Sequence, residues 1–313
     1  MNNKEIGGDH VRMTMLQNLQ STKYARLNYW LQLCWCIIRQ MILVGLSFVV
    51  LYPILIKVIT CFMSFEDLAN PLVKLIPRQG SLVILTRAIQ NLEYGKTLLR
   101  TAALSGMVAI IQTVISCTAG YGLARFAFKG RNLLFFMVIA TLLVPPQTIL
   151  IPEFVNFRYF KVLFWEFNLI NTSWPFVILS FTGLGLKNGL YIFLMRQFFR
   201  GLPKELEESA YIDGASPVRA FISVMAPNAR NMMLTVFVLS FTWQWTDSHI
   251  TPMFLPNEQV FSNIMPETSV LDQVQYIAIN NVSALLIILP VLLIYIFAQR
   301  FIIQGVEQSG IVG

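Results

Sequence analysis

The chain alternates long apolar runs with short polar connections. Crossing the roughly 30 Å hydrocarbon layer of a membrane takes about 20 apolar residues at helical rise. Six runs come near or reach that length: 41–63, 101–123, 133–154, 174–195, 228–245 and 279–298. This pattern predicts an all-α integral membrane protein with six transmembrane helices.

Prolines and lysines interrupt several of these runs. A proline inside a span kinks or breaks the helix, and membranes tolerate this where neighbouring helices or a water-lined cavity satisfy the freed backbone groups. The interruptions are Pro53 and Lys57 in the first run, Pro145, Pro146 and Pro152 in the third, and Lys187 in the fourth. The third run therefore either borders a pathway or carries an ordinary packing kink.

Composition supports a membrane protein and not a soluble one. Of the 313 residues, 56% are hydrophobic and only 12% are charged, which is too apolar for a soluble domain of this size. The net charge of +7 does not indicate a nucleic-acid partner, because the basic residues flank the apolar runs. We expect no metal or disulfide at Cys34, Cys36, Cys61 and Cys117, which form no CxxC pair.

The placement of Lys and Arg predicts the orientation. With a cytoplasmic N-terminus, most of the 23 basic residues lie in the inner connections, so both termini are expected in the cytoplasm. About thirty mixed polar residues precede the first apolar run, and no short apolar segment with a cleavage site precedes it. We expect no cleaved signal peptide and a first run that stays as an anchor.

A polar stretch, ELEESAYIDGASPVRAFISVMAP at 205–227, interrupts the apolar second half of the chain on the predicted cytoplasmic side. Pro203 suits the first turn of a helix, and the glutamates that follow favour the positive end of its dipole. Asp213-Gly214 signals a turn, and Ser216 before Pro217 is typical of an N-cap. The stretch is expected to form a helix–turn–helix, whereas an ordinary connecting loop would need no such pattern.

This stretch resembles the cytoplasmic EAA loop of permease subunits in bacterial ABC importers, written E-A-A-x3-G-x9-I-x-L-P. The matching positions are Glu208-Ser209-Ala210, Gly214, Val224, Ala226 and Pro227, in intact spacing. In that family the loop forms a coupling helix that docks in a cleft of the ATPase. The resemblance implies coupling roles for Glu207, Glu208, Ser209, Ala210, Asp213, Gly214 and Pro227.

Further stretches resemble the carbohydrate-uptake, MalG-like branch of these permeases. They are LPKELEESAYIDGAS, GYGLARFAFKGRNLLFF, LVPPQTILIP and AQRFIIQGVEQSGIVG, and together they cover about 101–313. Two positions depart from that branch, where Arg100-Thr101 and Trp245-Thr246-Asp247 replace the usual Asn-Ser/Thr and Trp-Asn-Asp. These departures concern the detailed substrate and leave the transporter class unchanged.

The resemblance implies an organisation and a set of partners. It implies a cytoplasmic N-terminal segment (1–40), a first transmembrane helix (41–63), an external segment (64–100), a five-helix permease domain (101–304) with the coupling loop at about 203–227, and a cytoplasmic tail (305–313). The implied partners in the bacterial membrane are a second permease, an ATPase dimer that binds ATP and Mg, and a solute-binding protein that delivers a carbohydrate. The chain itself is expected to be non-catalytic.

Polar and aromatic side chains at the outer end of the fifth run and at the proline break of the third are candidates for the solute path. Aromatic faces stack on sugar C–H faces, and amides or carboxylates bond hydroxyls. The candidates are Gln147, Thr148, Trp243, Gln244, Trp245 and Asp247. The alternative is an interfacial aromatic belt with a capping acid.

A different class of protein also has to be considered. Lys57 and Lys187 lie within apolar runs, and such residues mark ion pathways in secondary transporters. The chain has no GxxxxGK[ST] nucleotide motif, so an ion-coupled carrier is the alternative to an ATP-driven one. His10 and His249 fall on opposite sides of the membrane in this topology, and no acid–base constellation favours an enzyme.

Overall fold

The computed structural model describes residues 5–70, 72–73, 75–264 and 273–308, with side chains described from 30 to 305 within those ranges. Residues 309–313 of the predicted tail and the side chain of His10 lie outside this description. The helices are α1 (Glu5–Thr60), α2 (Phe65–Ala69), α3 (Val83–Asn91), α4 (Tyr94–Arg125), α5 (Arg131–Leu143), α6 (Pro146–Arg158), α7 (Trp174–Phe181), α8 (Asn188–Gly201), α9 (Glu205–Ile212), α10 (Pro217–Ala220), α11 (Ala226–Asn228), α12 (Arg230–Trp245), α13 (Ile250–Phe254) and α14 (Gln273–Gln308).

Three of the described helices contain a continuous stretch long and apolar enough to cross a membrane. The stretches are Trp30–Thr60 in α1, Tyr94–Arg125 in α4 and Gln273–Gly305 in α14. The second and third stretches extend beyond both ends of the predicted runs 101–123 and 279–298, whereas the first begins before the run 41–63 and ends three residues short of its end. Residues 94–100 of the predicted external segment belong to α4.

Two of the predicted spans are broken. The third run divides into α5 and α6, which bend by 102° at the Val144-Pro145 junction, as the prolines predict. The fourth run is also divided, and the prediction of a single helix over 174–195 is wrong. Residues 182–187 separate α7 from α8, and Gly183 (φ 77°) and Lys187 (φ 58°) adopt the left-handed conformation that ends helical geometry.

A short antiparallel hairpin follows α6, and the all-α prediction missed it. Strands β1 (Phe160–Val162) and β2 (Trp165–Phe167) pair with Phe160 opposite Phe167. Leu163 at the turn has φ 56°, and Phe164 beside it is 98% exposed. Strands of three residues contain too little alternation for a sequence pattern to reveal them.

The main core lies between α4, α8 and α12. Its buried members include Tyr121, Tyr191, Phe198, Phe199 and Met232. Gly120 permits α4 and α8 to approach closely, because an added Cβ at this position would lie 2.6 Å from the Cβ of Met195. Small residues at such contacts are typical of helices that associate within membranes.

By contrast, the first helix contributes little to this core. Every residue from 30 to 53 is exposed, and the end of α1 packs with α3 and α14 around Cys61, Ile84 and Ile279. An apolar helix that is exposed within its own chain needs lipid or another protein as its surroundings.

Candidate functional site

The polar stretch forms two short helices joined by a glycine turn. Helix α9 begins at Glu205 with Lys204 as its N-cap, so Pro203 precedes the helix and does not lie in its first turn as predicted. Glu205, Glu207 and Glu208 occupy that first turn, where their negative charges interact favourably with the positive end of the helix dipole.

The turn confirms the conformation expected of Gly214, which has φ 80°. Its N–H donates to the Tyr211 carbonyl at 3.0 Å, and the Ala215 N–H donates to the Ala210 carbonyl at 2.9 Å. These bonds satisfy carbonyls at the end of α9. An added Cβ at Gly214 would meet nothing within 4 Å among the described residues, so only the backbone conformation requires glycine here.

The second helix begins as predicted. The Ser216 hydroxyl accepts a hydrogen bond from the Arg219 N–H at 3.3 Å, and Pro217 occupies the first helical position. A five-residue π-helical turn (Phe221–Met225) follows α10, and α11 contains the exposed Pro227. The Ala226 N–H donates to the Phe221 carbonyl five residues earlier, as in a π-helix. The next residue, Pro227, has no N–H to donate.

Glu207 points into the protein, although the EAA resemblance groups it with the coupling residues. It is 8% exposed. Its Oε1 accepts hydrogen bonds from the Tyr121 hydroxyl at 2.6 Å and the Tyr211 hydroxyl at 2.7 Å. Burial and the bond to Glu207 raise the pKa of the Tyr211 phenol, so the hydroxyl keeps the proton that it donates.

An arginine completes this buried cluster. Arg125 Nε lies 3.6 Å from Glu207 Oε2, with both side chains about nine-tenths buried. The same guanidinium donates to the Leu202 carbonyl at 2.7 Å. Since Arg125 and Tyr121 belong to α4, these contacts fix α9 and the preceding turn to the end of a long helix.

The other face of the loop is exposed. Glu208, Ser209, Asp213 and Gly214 are exposed, whereas Ala210 is buried beside Glu207. Three large apolar side chains accompany them on the surface: Ile212 is 86% exposed, Val218 67% and Ile222 62%. A cluster of exposed apolar residues beside acidic ones is typical of a protein interaction surface.

A cavity of about 320 Å³ lies where the two broken runs meet α4 and α12. The α5–α6 break contributes Val144 and Pro146, and the α7–α8 break contributes residues 183–187. Its polar lining consists of Gln112, Thr141, Glu153, Ser180, Lys187, Asn188 and Gln244. Irregular backbone is tolerated at membrane depth where it lines a water-filled cavity, and the residues of both breaks line this cavity.

Of the predicted path residues, the structure places Gln244 in the lining. Its Nε2 donates to the Thr251 hydroxyl at 3.0 Å. Gln147 and Thr148 are exposed and lie outside the lining, and the Thr148 hydroxyl bonds back to the Pro145 carbonyl at 2.7 Å. Trp243 is 44% exposed, and the Lys187 ammonium lies 5.1 Å from the centre of its ring.

Trp245 and Asp247 lie behind the cavity wall. Trp245 is 3% exposed, donates through Nε1 to the Ile287 carbonyl at 3.0 Å and stacks on Phe241. Asp247 accepts from the backbone N–H and the hydroxyl of Thr251, at 2.5 and 2.7 Å. Asp247 therefore fixes Thr251, which in turn holds the amide of Gln244.

Five polar lining residues were not predicted: Gln112, Thr141, Glu153, Ser180 and Asn188. Gln112 is the clearest omission, since it is a strongly polar residue near the middle of an apolar run, and such residues mark functional sites in membranes. Asn188 follows Lys187, which the sequence indicated as an interruption of its run and as a candidate for an ion pathway. Lys57, the other interrupting lysine, bonds to the Asn281 side chain on α14 at 2.8 Å.

Relatives of known type match most of the chain. A permease of a diacetylchitobiose uptake system from Streptomyces coelicolor is 29% identical over 87% of this chain and 87% of its own length. A maltodextrin permease from Streptococcus pneumoniae is 26% identical over 86% and 92%. An sn-glycerol-3-phosphate permease from Pectobacterium atrosepticum is 26% identical over 86% and 94%.

The fold is also shared with a solved transporter. A chain in the crystal structure of a bacterial ABC transporter that imports the acidic polysaccharide alginate superposes with a TM-score of 0.66, at 18% identity, over 84% of this chain and 95% of that one. Residues 112–308, more than half of the chain, match a family of membrane transport components. The chain belongs to the family of binding-protein-dependent transport system inner membrane components.

Proposed function

We propose that the chain is a permease subunit of an ATP-driven importer. It forms, with a second permease, the translocation pathway for a carbohydrate that an external solute-binding protein delivers. A cytoplasmic ATPase dimer binds ATP and Mg and drives the cycle, and both termini of this chain lie in the cytoplasm.

The two-sided coupling loop is the observation that carries this proposal. Glu207 fixes the loop to α4 from inside, while Glu208 and three apolar side chains face outward. A displacement of the exposed face of such a loop is transmitted to α4, to which Glu207 attaches it. This supports docking of the outer face on the ATPase.

The helices also support six passages through the membrane. In this proposal the three continuous helices, the bent pair α5–α6, and α12 with the turn before it supply five passages, while α10 stays in the coupling loop. The interrupted pair α7 and α8 supplies the sixth. With six passages, the coupling loop and both termini lie on the same side.

Exposed apolar surfaces support a partner within the membrane. Besides α1, a groove between α4 and α12 has an almost wholly apolar lining that includes Ile110, Val114, Met233 and Phe237. Lipid or a second permease suits such surfaces, and the second permease follows from the heteromeric importer proposed here.

The test is transport by the assembled importer. The chain, co-purified with its partner permease and ATPase, is reconstituted in vesicles with the solute-binding protein. Uptake of radiolabelled maltotriose, diacetylchitobiose and sn-glycerol-3-phosphate is then measured with and without internal ATP. We expect ATP-dependent uptake of an oligosaccharide and no uptake by the chain alone. Uptake by the isolated chain under an ion gradient would instead establish a secondary carrier.

A further inference from the structure

The strongest unassigned feature is Asn188 at the start of α8. It is 1% exposed, and both polar atoms of its side-chain amide lack a hydrogen-bond partner among the described residues. An amide buried in this way costs free energy unless something bonds to it. The group therefore requires a partner that the described part of the chain does not supply.

The amide lies at the edge of the cavity. Asn188 belongs to the lining, and a Cβ added at Gly183 would lie 3.4 Å from its Nδ2. In this conformation both polar atoms of the amide are covered, and Gly183, which has no side chain and φ 77°, is the residue of the α7–α8 break that lies against them. A ligand in the cavity therefore reaches the amide when this break shifts.

Two neighbouring amides are held in fixed positions. Gln112 Oε1 accepts from the Ser240 hydroxyl at 2.5 Å, and Gln244 is held by Thr251. Both glutamines line the same cavity as Asn188. Fixed amides reduce the entropy lost when a ligand binds, because their rotamers are already set.

The charges of the lining indicate the kind of ligand. It contains one acidic residue, Glu153, and one basic residue, Lys187, whose ammonium already faces the ring of Trp243. An anionic ligand would need an excess of positive charge, and the lining provides none. Three amides and the Ser180 hydroxyl instead suit an uncharged molecule rich in hydroxyl groups.

We propose that this subunit itself contains a binding site for an uncharged, hydroxyl-bearing solute, in which Asn188 bonds a hydroxyl and Gln112 and Gln244 line the adjacent wall. The cavity volume of about 320 Å³ is at the lower end of the range for small-molecule sites. It suits a small sugar or the terminal unit of a longer one. The inference rests on the proposed function, since the importer must deliver the solute to this cavity.

The test uses Asn188→Leu, a change close in shape that removes both polar atoms. Replacing an unpartnered buried amide with an apolar side chain is expected to leave thermal stability unchanged or higher. A structural role for the amide predicts lower stability instead. Loss of one solute hydrogen bond should raise the solute concentration needed for half-maximal uptake about tenfold.

Uptake of the radiolabelled oligosaccharide that the wild-type importer transports is measured on equal amounts of reconstituted complex, together with basal ATP hydrolysis. Asn280→Ala is the matched control, because Asn280 Oδ1 also lacks a partner among the described residues but lies outside the cavity lining. We expect a shifted uptake curve for Asn188→Leu and an unshifted curve, with unchanged basal hydrolysis, for Asn280→Ala.

The outcomes separate the two proposals. If the wild-type complex transports and the uptake curve of Asn188→Leu is unshifted, the proposed site is wrong and the proposed function is unaffected. The same holds if Asn188→Leu lowers the thermal stability of the complex enough to account for the shift. An equal shift for Asn280→Ala also overturns the site. A wild-type complex that imports sn-glycerol-3-phosphate and no oligosaccharide contradicts the uncharged ligand class. Absence of ATP-dependent uptake overturns the proposed function and the site with it.

Discussion

The joint, which is the contact of the coupling loop with α4 through Glu207, Tyr121 and Arg125, differs from the cavity in whether its buried polar groups have partners. At the joint, the Glu207 carboxylate has two tyrosine hydroxyls and an arginine as partners. In the cavity, the Asn188 amide has none among the described residues. A satisfied network rigidifies the elements that it joins, whereas an unsatisfied group in an open cavity is available to a ligand. The difference separates a region built for transmission from one built for binding.

The largest expected effect tests the joint. Glu207→Ala leaves the buried Arg125 guanidinium without its counter-ion, and breaking a buried pair typically costs about 3–5 kcal/mol. Thermal unfolding of the purified complex should shift to a clearly lower temperature. Glu208→Ala, one residue along and exposed, should unfold like the wild type while losing solute-stimulated ATP hydrolysis. Equal destabilisation by both variants would contradict the two-sided loop.

An intermediate effect is expected at the turn of the same loop. Gly214→Val forces a branched side chain into the left-handed region, at about 1–2 kcal/mol, and distorts the angle between α9 and α10. ATP hydrolysis stimulated by the loaded binding protein should fall severalfold. Gly214→Asn is the control, since asparagine tolerates this conformation and the surrounding space is open. Asparagine should retain most of the stimulation, and a loss as large as that of valine would rule out backbone strain as the cause.

The smallest effect sharpens the boundary of the cavity. Trp245→Phe keeps the stacking on Phe241 but removes the bond to the Ile287 carbonyl, which contributes about 1 kcal/mol. We expect a small loss of thermal stability and an unchanged dependence of uptake on solute concentration. Trp243→Phe, at a partly exposed position, should leave stability unaltered. A shifted uptake curve for Trp245→Phe would return this residue to the solute path.

Features set by adjacent residues could be predicted from the sequence, and features set by tertiary packing could not. The positive φ of Gly214 and the Ser216 cap follow from local backbone chemistry, so the pattern indicated both. Glu207 and Glu208 are chemically identical neighbours, and only the position of Tyr121 on another helix decides which of them is buried. Trp243 and Trp245 likewise differ in burial because of tertiary packing, since Trp245 bonds to the Ile287 carbonyl on α14.

The break between α7 and α8 illustrates a second limit. Gly183, Gly185 and Lys187 are visible within the apolar run, but hydrophobicity alone assigns the segment to a single span. Its irregular backbone lines the same cavity as the α5–α6 break and α4. The residues that line this cavity come from separate runs, so the pattern within any one run does not predict it.

Helix α8 extends from the joint to the cavity, and its length converts a small tilt at one end into a larger displacement at the other. It has 14 residues, about 21 Å at 1.5 Å per residue, with Gly201 beside the joint and Asn188 in the cavity wall. A tilt of about 5° about its cytoplasmic end moves its far end by about 2 Å over that length. Since a hydrogen bond is lost when its atoms separate by about 1 Å, a tilt of this size that starts at the joint is enough to separate Asn188 from the solute that it binds.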